Sequence, residues 1–209
     1  MDAAAFVTAH TRLAAPPAVP ELRLHLAADV VALWERAGDG GALPYWAVAW
    51  AGGQALARHV LDRPALVAGR TVLDVAAGSG LVALAAARAG AAAVTASETD
   101  RTATAALRLN AAANGIAVDI AGDLLDTTPA HQVVLVGDAF YEAAMAARVQ
   151  PFLERAAAAG ATVLVGDPGR AHLPHARYRP LARYDIPVPT TVEATDTART
   201  TVWQLVNAT

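Results

Sequence analysis

Thr71-Val72-Leu73-Asp74-Val75, followed by Ala76-Ala77-Gly78-Ser79-Gly80, is the stretch whose reading decides the fold. A short apolar run that closes on an acid and then on a Gly-rich turn predicts a β-strand feeding a helix. Leu81 to Ala89 continues as an apolar, Ala-rich helix. Gly78 and Gly80 carry no Cβ, so the backbone can come close to a ligand, and the first N–H groups of the helix are left to face it. The run Gly78-Ser79-Gly80-Leu81-Val82-Ala83 also fits the dinucleotide pattern G-x-G-x-x-A, so the glycines alone also allow NAD. Asp74 tips the balance. A carboxylate beside the turn repels a pyrophosphate but suits a ligand carrying an ammonium and a sulfonium, which matches S-adenosylmethionine (SAM). An ordinary β–α turn with a capping acid is the plainer alternative.

A second acid supports a nucleoside. Glu98 stands at the end of the next predicted strand, about 20 residues beyond Gly78, where a carboxylate can accept hydrogen bonds from both ribose hydroxyls. Asp100 reads as the N-cap of a helix starting at Arg101. Asp123, after the strand Ala117 to Ala121, can accept from an adenine amino group or serve as a solvated loop acid.

Beyond these, strands at Val133 to Gly137 and Thr162 to Gly166 alternate with helices, including one from Glu142 to Ala159. Such alternation predicts an α/β fold with a parallel sheet and helices on both faces. Tyr178 to Val188 and Thr200 to Val206 read as a closing pair of strands, the last antiparallel. Residues 1–43 read as an N-terminal helical extension, with Leu22, Leu26, Val30 and Leu33 at helical spacing between Glu21 and Ala37; residues 44–209 form the main domain.

The remaining chemistry falls where such a sheet binds ligands, outside the carboxyl ends of its strands. Gly137-Asp138-Ala139-Phe140-Tyr141 follows one strand and Gly166-Asp167-Pro168-Gly169-Arg170 the next. A carboxylate at Asp138 can orient an incoming amine, and Tyr141 can line its channel and offer a cation–π face. The competing reading makes Asp138 the N-cap of the following helix and Tyr141 a packing aromatic. Asp167 reads either as a pocket rim or as the cap of a tight turn. Trp46 and Trp50 cover the cofactor or substrate mouth, or else anchor the core. His172 and His175 have no acid or Cys partner nearby, so no metal is expected.

Composition sets the frame. At 209 residues the chain suits one α/β domain with a short extension. It has no cysteine, which excludes disulfides, thiolate catalysis and Cys-ligated metals. All 16 basic residues are Arg and the net charge is −3, so no general basic surface for nucleic acid is expected. Hydrophobic content is 55%, yet charges interrupt every apolar window, and Met1 to Leu13 lacks a secretory pattern. The expected setting is cytoplasmic, without a membrane partner.

The residues quoted above, together with Pro44-Tyr45-Trp46-Ala47, Trp50-Ala51-Gly52-Gly53-Gln54-Ala55-Leu56 and Leu109-Asn110 with Asn114, resemble a class I, seven-β-strand SAM-dependent methyltransferase. More narrowly, the chain resembles the family that methylates lysine on the β-subunit of electron transfer flavoprotein. That resemblance implies a Rossmann-like, mostly parallel seven-stranded sheet and SAM as cofactor. Its acceptor would be a protein, such as the flavoprotein β-subunit, with a small-molecule acceptor as the alternative. It implies a cofactor site of Trp50, Asp74, Gly78, Gly80, Glu98 and Asp123, with catalytic Asp138 and Tyr141 from the family's D-x-x-Y/F element. Trp46, Phe140 and Arg170 would bind substrate. Two positions depart from the pattern. Ala76 replaces the first glycine of the cofactor loop, which is tolerable if its φ is negative, and Asp123 replaces a neutral residue.

Overall fold

The computed structural model describes residues 2–37, 43–188 and 196–206. The N-terminal segment contains α1 (Ala3–His10), β1 (Arg12–Ala14), β2 (Leu24–Leu26) and α2 (Val30–Ala37). A single 3-10 turn at Tyr45–Ala47 leads into α3 (Ala51–Asp62). The alternating unit follows: β3 (Thr71–Val75), α4 (Leu81–Arg88), β4 (Ala93–Ser97), α5 (Arg101–Asn114) and β5 (Asp119–Ala121). Then come β6 (Val133–Gly137), α6 (Ala143–Ala158), β7 (Thr162–Asp167), β8 (Tyr178–Pro187) and β9 (Thr197–Leu205).

Seven strands form one sheet in the order β5-β4-β3-β6-β7-β9-β8. The first five neighbours pair in parallel, and β9 runs antiparallel between β7 and β8. The order reverses between β3 and β6, which opens a crevice at their carboxyl ends. Side-chain alternation explains why the strands read as unbroken apolar runs. Val72, Val133, Leu135 and Leu164 pack on one face with Leu56 and Val60 of α3 and Leu84 of α4. Their neighbours Leu73, Val134, Val136 and Val165 pack on the other with Val149, Phe152 and Leu153 of α6. Both faces are covered, as a parallel sheet requires.

The N-terminal segment differs from expectation. It is helical only in part: the helix expected over Glu21 to Ala37 is confined to Val30–Ala37, and Leu24–Leu26 pairs antiparallel with Arg12–Ala14. The free edge of β2 is satisfied by two asparagines one turn apart on α5. Asn114 Oδ1 accepts from the Arg23 N–H at 3.0 Å and Asn110 Oδ1 from the His25 N–H at 2.7 Å. These long-range bonds outweigh the helical spacing of the leucines, since a short segment's propensity is weak against tertiary contacts. Val19, Leu22 and Leu24 are fully buried in the same core as β3 and β6. Among the described residues, no helix is long and apolar enough to cross a membrane.

Candidate active site

At the reversal point lies a cavity of about 580 Å³, within the range of small-molecule sites. Of the residues singled out in the sequence, Trp46, Trp50, Asp74, Gly78, Glu98, Asp123, Asp138, Tyr141 and Arg170 all line it.

Three acids from successive strand ends meet at one end. Asp74 is the penultimate residue of β3, is 2% exposed, and accepts the Ala83 N–H of α4 at 2.9 Å. Burial pushes its carboxyl up to about 8; the Ala83 N–H opposes this and Glu98 adds to it. Asp74 therefore braces the helix, and a cationic ligand beside it would favour its ionised form. Glu98 Oε2 accepts the Gly78 N–H at 2.8 Å, while Oε1 accepts the N–H groups of Thr99 and Asp100 at 2.7 and 2.8 Å. Asp100 caps α5 as expected, through Thr102 and Ala103. Asp123 is already paired with Arg148 at 2.8 Å and accepts the Leu125 N–H, which holds its carboxyl below the usual range.

The glycine turn carries two corrections. Ala76 has a φ of +53°, so the condition under which an alanine is tolerable there, a negative φ, is not met. A left-handed Ala is strained, so the turn keeps the geometry of a glycine loop with an alanine forced into it. Gly80 does not line the cavity. It caps α4 with a φ of +79°, and a Cβ there would stand 2.7 Å from Leu107 Cγ of α5. Gly80 is required for helix packing, whereas Gly78, at φ +51°, fronts the cavity.

The other end is built around Asp138, itself left-handed at φ +55°. Its N–H donates to the Gly166 carbonyl at 3.0 Å, and its Oδ2 accepts the Gly53 N–H of α3 at 2.8 Å. The N-terminus of α6 is capped by Glu142 without a side-chain bond, so Asp138 does not cap its own helix. Its second oxygen, Oδ1, is buried without a hydrogen-bond partner, 3.6 Å from Arg170 Nη2. Burial pushes the Asp138 carboxyl up to about 7; Gly53 and Arg170 oppose this and Asp167 adds to it. Asp167 closes the adjoining turn, accepting the N–H groups of Gly169 and Arg170 at 2.7 Å each.

Aromatic rings stand over the opening. Tyr141 and Tyr45 are 39% and 37% exposed, with ring centroids 5.0 Å apart. Trp50 lies 5.8 Å from Tyr45 and donates its indole N–H to the Tyr45 carbonyl at 2.7 Å. Trp46 is 3% exposed and packs with Val7, Leu33 and Ala106, so it is a core anchor whose edge reaches the cavity. Phe140 must be corrected. It is fully buried on the α6 side of the sheet, edge-on to Tyr178, and does not reach the cavity. His175 packs against the Trp203 ring.

Sequence reading missed the part played by Gly52 and Gly53. A Cβ on Gly52 would overlap the Gly166 carbonyl oxygen and one on Gly137 would stand 2.8 Å from Gly53 Cα. Adjacent glycines at the start of α3 were the available signal, since such a site invites another backbone. Tyr45 and Arg148 were also unassigned.

Comparison with known proteins bears on the family and the fold. The family model described as ribosomal protein L11 methyltransferase (PrmA) matches residues 55–138. The electron transfer flavoprotein beta subunit lysine methyltransferase of Xenopus laevis is 38% identical over 95% of this chain and 85% of its own. The rat protein of the same name is 34% identical over 88% of this chain and 76% of its own. Among solved structures, the ribosomal protein L11 methylase of Lactobacillus delbrueckii subsp. bulgaricus superposes with a TM-score of 0.50 at 23% identity, covering 72% of this chain and 76% of its own. TrmN from Thermus thermophilus gives 0.53 at 23% identity over 74% and 48%. SMU.776, solved with S-adenosylhomocysteine, gives 0.55 at 12% identity over 88% and 53%. These relatives favour SAM chemistry over the nicotinamide reading.

Proposed function

The chain belongs to the electron transfer flavoprotein β-subunit lysine methyltransferase family, and we propose that it methylates a lysine side chain on a protein, the flavoprotein β-subunit or one like it. One observation carries the acceptor reading: a buried carboxylate oxygen, Asp138 Oδ1, lies at the end of a cavity whose open side is walled by tyrosines. A long side chain ending in an amine can pass between aromatic faces and meet a hydrogen-bond acceptor at the bottom.

The residues present fit SAM. Gly78 leaves room beside amides at the start of α4, and the Glu98 carboxylate faces the same cavity. Glu98 would hold the ribose hydroxyls, Asp74 the ammonium, Asp123 the adenine amino group, and Trp50 would cover the ligand. When bound, SAM supplies an electrophilic methyl group. The chain supplies alignment and partial shielding from water. Asp138 holds the amine by its N–H; Tyr141, with the edge of Trp46, confines it laterally; solvent removes the proton that a lysine must lose first.

Incubating a lysate with methyl-labelled SAM tests the proposal. Label on a discrete protein band, mapped to lysine and absent with a Glu98→Lys enzyme, is the expected result. Label confined to small molecules would overturn the protein acceptor.

A further inference from the structure

Asp138 poses a difficulty for amine chemistry. A lone carboxylate in a buried pocket attracts lysine as the ammonium ion, which has no lone pair with which to form a new bond. Here the carboxylate is not alone. Its Oδ2 accepts the Gly53 N–H at 2.8 Å, and Arg170 Nη2 lies 3.6 Å from Oδ1. The Arg170 side chain is 26% exposed and lines the same cavity. Its backbone is fixed because Asp167 accepts its N–H. A guanidinium keeps its charge at any ordinary pH.

We propose that Arg170 is a positioning residue that balances the charge of Asp138, so that the carboxylate orients the acceptor amine without retaining it as ammonium. The proposal rests on the lysine reading above and deepens it. The entering ammonium gives its proton to solvent. The neutral amine then donates an N–H to Oδ1 and keeps its lone pair. Removing the cation raises the proton affinity of both partners, Asp138 and the amine, so an extra proton stays in the pair until higher pH. Other groups face this pair. Asp167 raises Asp138 from the neighbouring turn and is itself raised by burial, against the N–H groups of Arg170 and Gly169, the Arg170 charge and His175. Tyr45 and Tyr141 are raised by burial, with Glu142 adding to both, and so keep their protons. At the far end stand Asp74, Glu98 and the Asp123–Arg148 pair. Of these, Asp167 also feels the Arg170 charge, so the separately assigned titration of the Asp138 carboxyl is what reads the guanidinium at Asp138.

Arg170→Gln removes the charge and keeps hydrogen-bond donors; Arg170→Lys restores the charge. The pH dependence of kcat/KM for the acceptor is expected to move its rising limb upward by roughly one unit or more in Arg170→Gln, an effect typical of losing an opposite charge within about 4–6 Å. Rate should recover at high pH, SAM affinity by calorimetry should be unchanged, and Arg170→Lys should return the profile towards wild type. A pH-independent loss that Lys does not restore would overturn the proposal in favour of a merely structural role. Carbon NMR of the Asp138 carboxyl in the enzyme without acceptor, assigned with Asp138→Asn, gives a second readout. Its midpoint should rise in Arg170→Gln, and an unmoved midpoint overturns the proposal. If the wild-type enzyme methylates no lysine, the lysine reading fails, while the carboxyl titration still decides the charge balance at Asp138.

Discussion

At the β3–β4 end of the cavity, each carboxylate is fixed by an amide close to it in the chain: Asp74 by Ala83, 9 residues on, and Glu98 by Gly78, 20 residues back. At the β6–β7 end, Asp138 is fixed by Gly53, 85 residues away, and balanced by Arg170 from another strand end. Its aromatic wall likewise joins Tyr45 and Tyr141 from distant segments. The first end is a contiguous motif that can form with one β–α–β unit, β3 through β4. The second exists only after α3 has docked on the finished sheet. Damage to the first should weaken cofactor binding and spare the fold. Damage to the second should reach stability as well as turnover.

The docking contact gives the largest expected effect. Gly52→Ala puts a methyl group against the Gly166 carbonyl and the Asp138 carboxylate, and backbone must move to admit it. Overpacking of this kind should cost about 3 kcal/mol, a fall in Tm of roughly 6–12 °C for a chain of this size. Turnover should fall with it, because Asp138 is displaced. A Gly52→Ala protein with wild-type melting and turnover would show that α3 does not set the acceptor end.

A crossed pair of substitutions separates the two ends. Glu98→Lys removes charge-assisted bonds worth on the order of 2–3 kcal/mol and adds a cation facing the sulfonium. SAM affinity should fall beyond detection in a protein that remains folded. Asp138→Asn keeps an acceptor for the Gly53 N–H but loses the charge, so methyl transfer should drop roughly 10²-fold, about 2.7 kcal/mol of barrier, with SAM binding nearly intact. Calorimetry and turnover measured on both proteins decide the matter. If Asp138→Asn loses SAM affinity as Glu98→Lys does, the two ends are one unit and the distinction fails.

The same difference in sequence separation explains what could be read in advance. The alternating strands and helices, the antiparallel last strand and the acids at strand ends follow from local patterns: apolar runs, glycine turns and caps within a few residues. What escaped reading depended on distant partners. Leu22, Leu26, Val30 and Leu33 have helical spacing, yet Asn110 and Asn114 of α5 hold Leu24–Leu26 as a strand. Gly80 sits in a ligand-binding motif, yet its lack of a side chain serves Leu107. Phe140 lies between two cavity residues, Ala139 and Tyr141, and still points into the α6 core. Gly52 and Gly53 announced a close approach without naming its partner.

Ala76 offers the smallest and most local test of the cofactor end. At φ +53° an L-residue carries strain of about 1–2 kcal/mol that glycine avoids. Glycine also loses a half-buried methyl group and loosens the unfolded chain, offsets of roughly 0.5–1 kcal/mol each. Ala76→Gly should therefore leave stability within about 0.5 kcal/mol of wild type, as the relieved strain cancels the two losses. Ala76→Val should cost more than about 1 kcal/mol, because a β-branched side chain tolerates the left-handed region poorly. A negative φ reverses the order: Gly would then cost about 1 kcal/mol with no compensation, and Val would be accepted. Denaturant midpoints for the two variants, compared at equal m-value, distinguish these outcomes. Val more stable than Gly would mean that the turn next to Asp74 does not have the left-handed geometry on which the cofactor end is built.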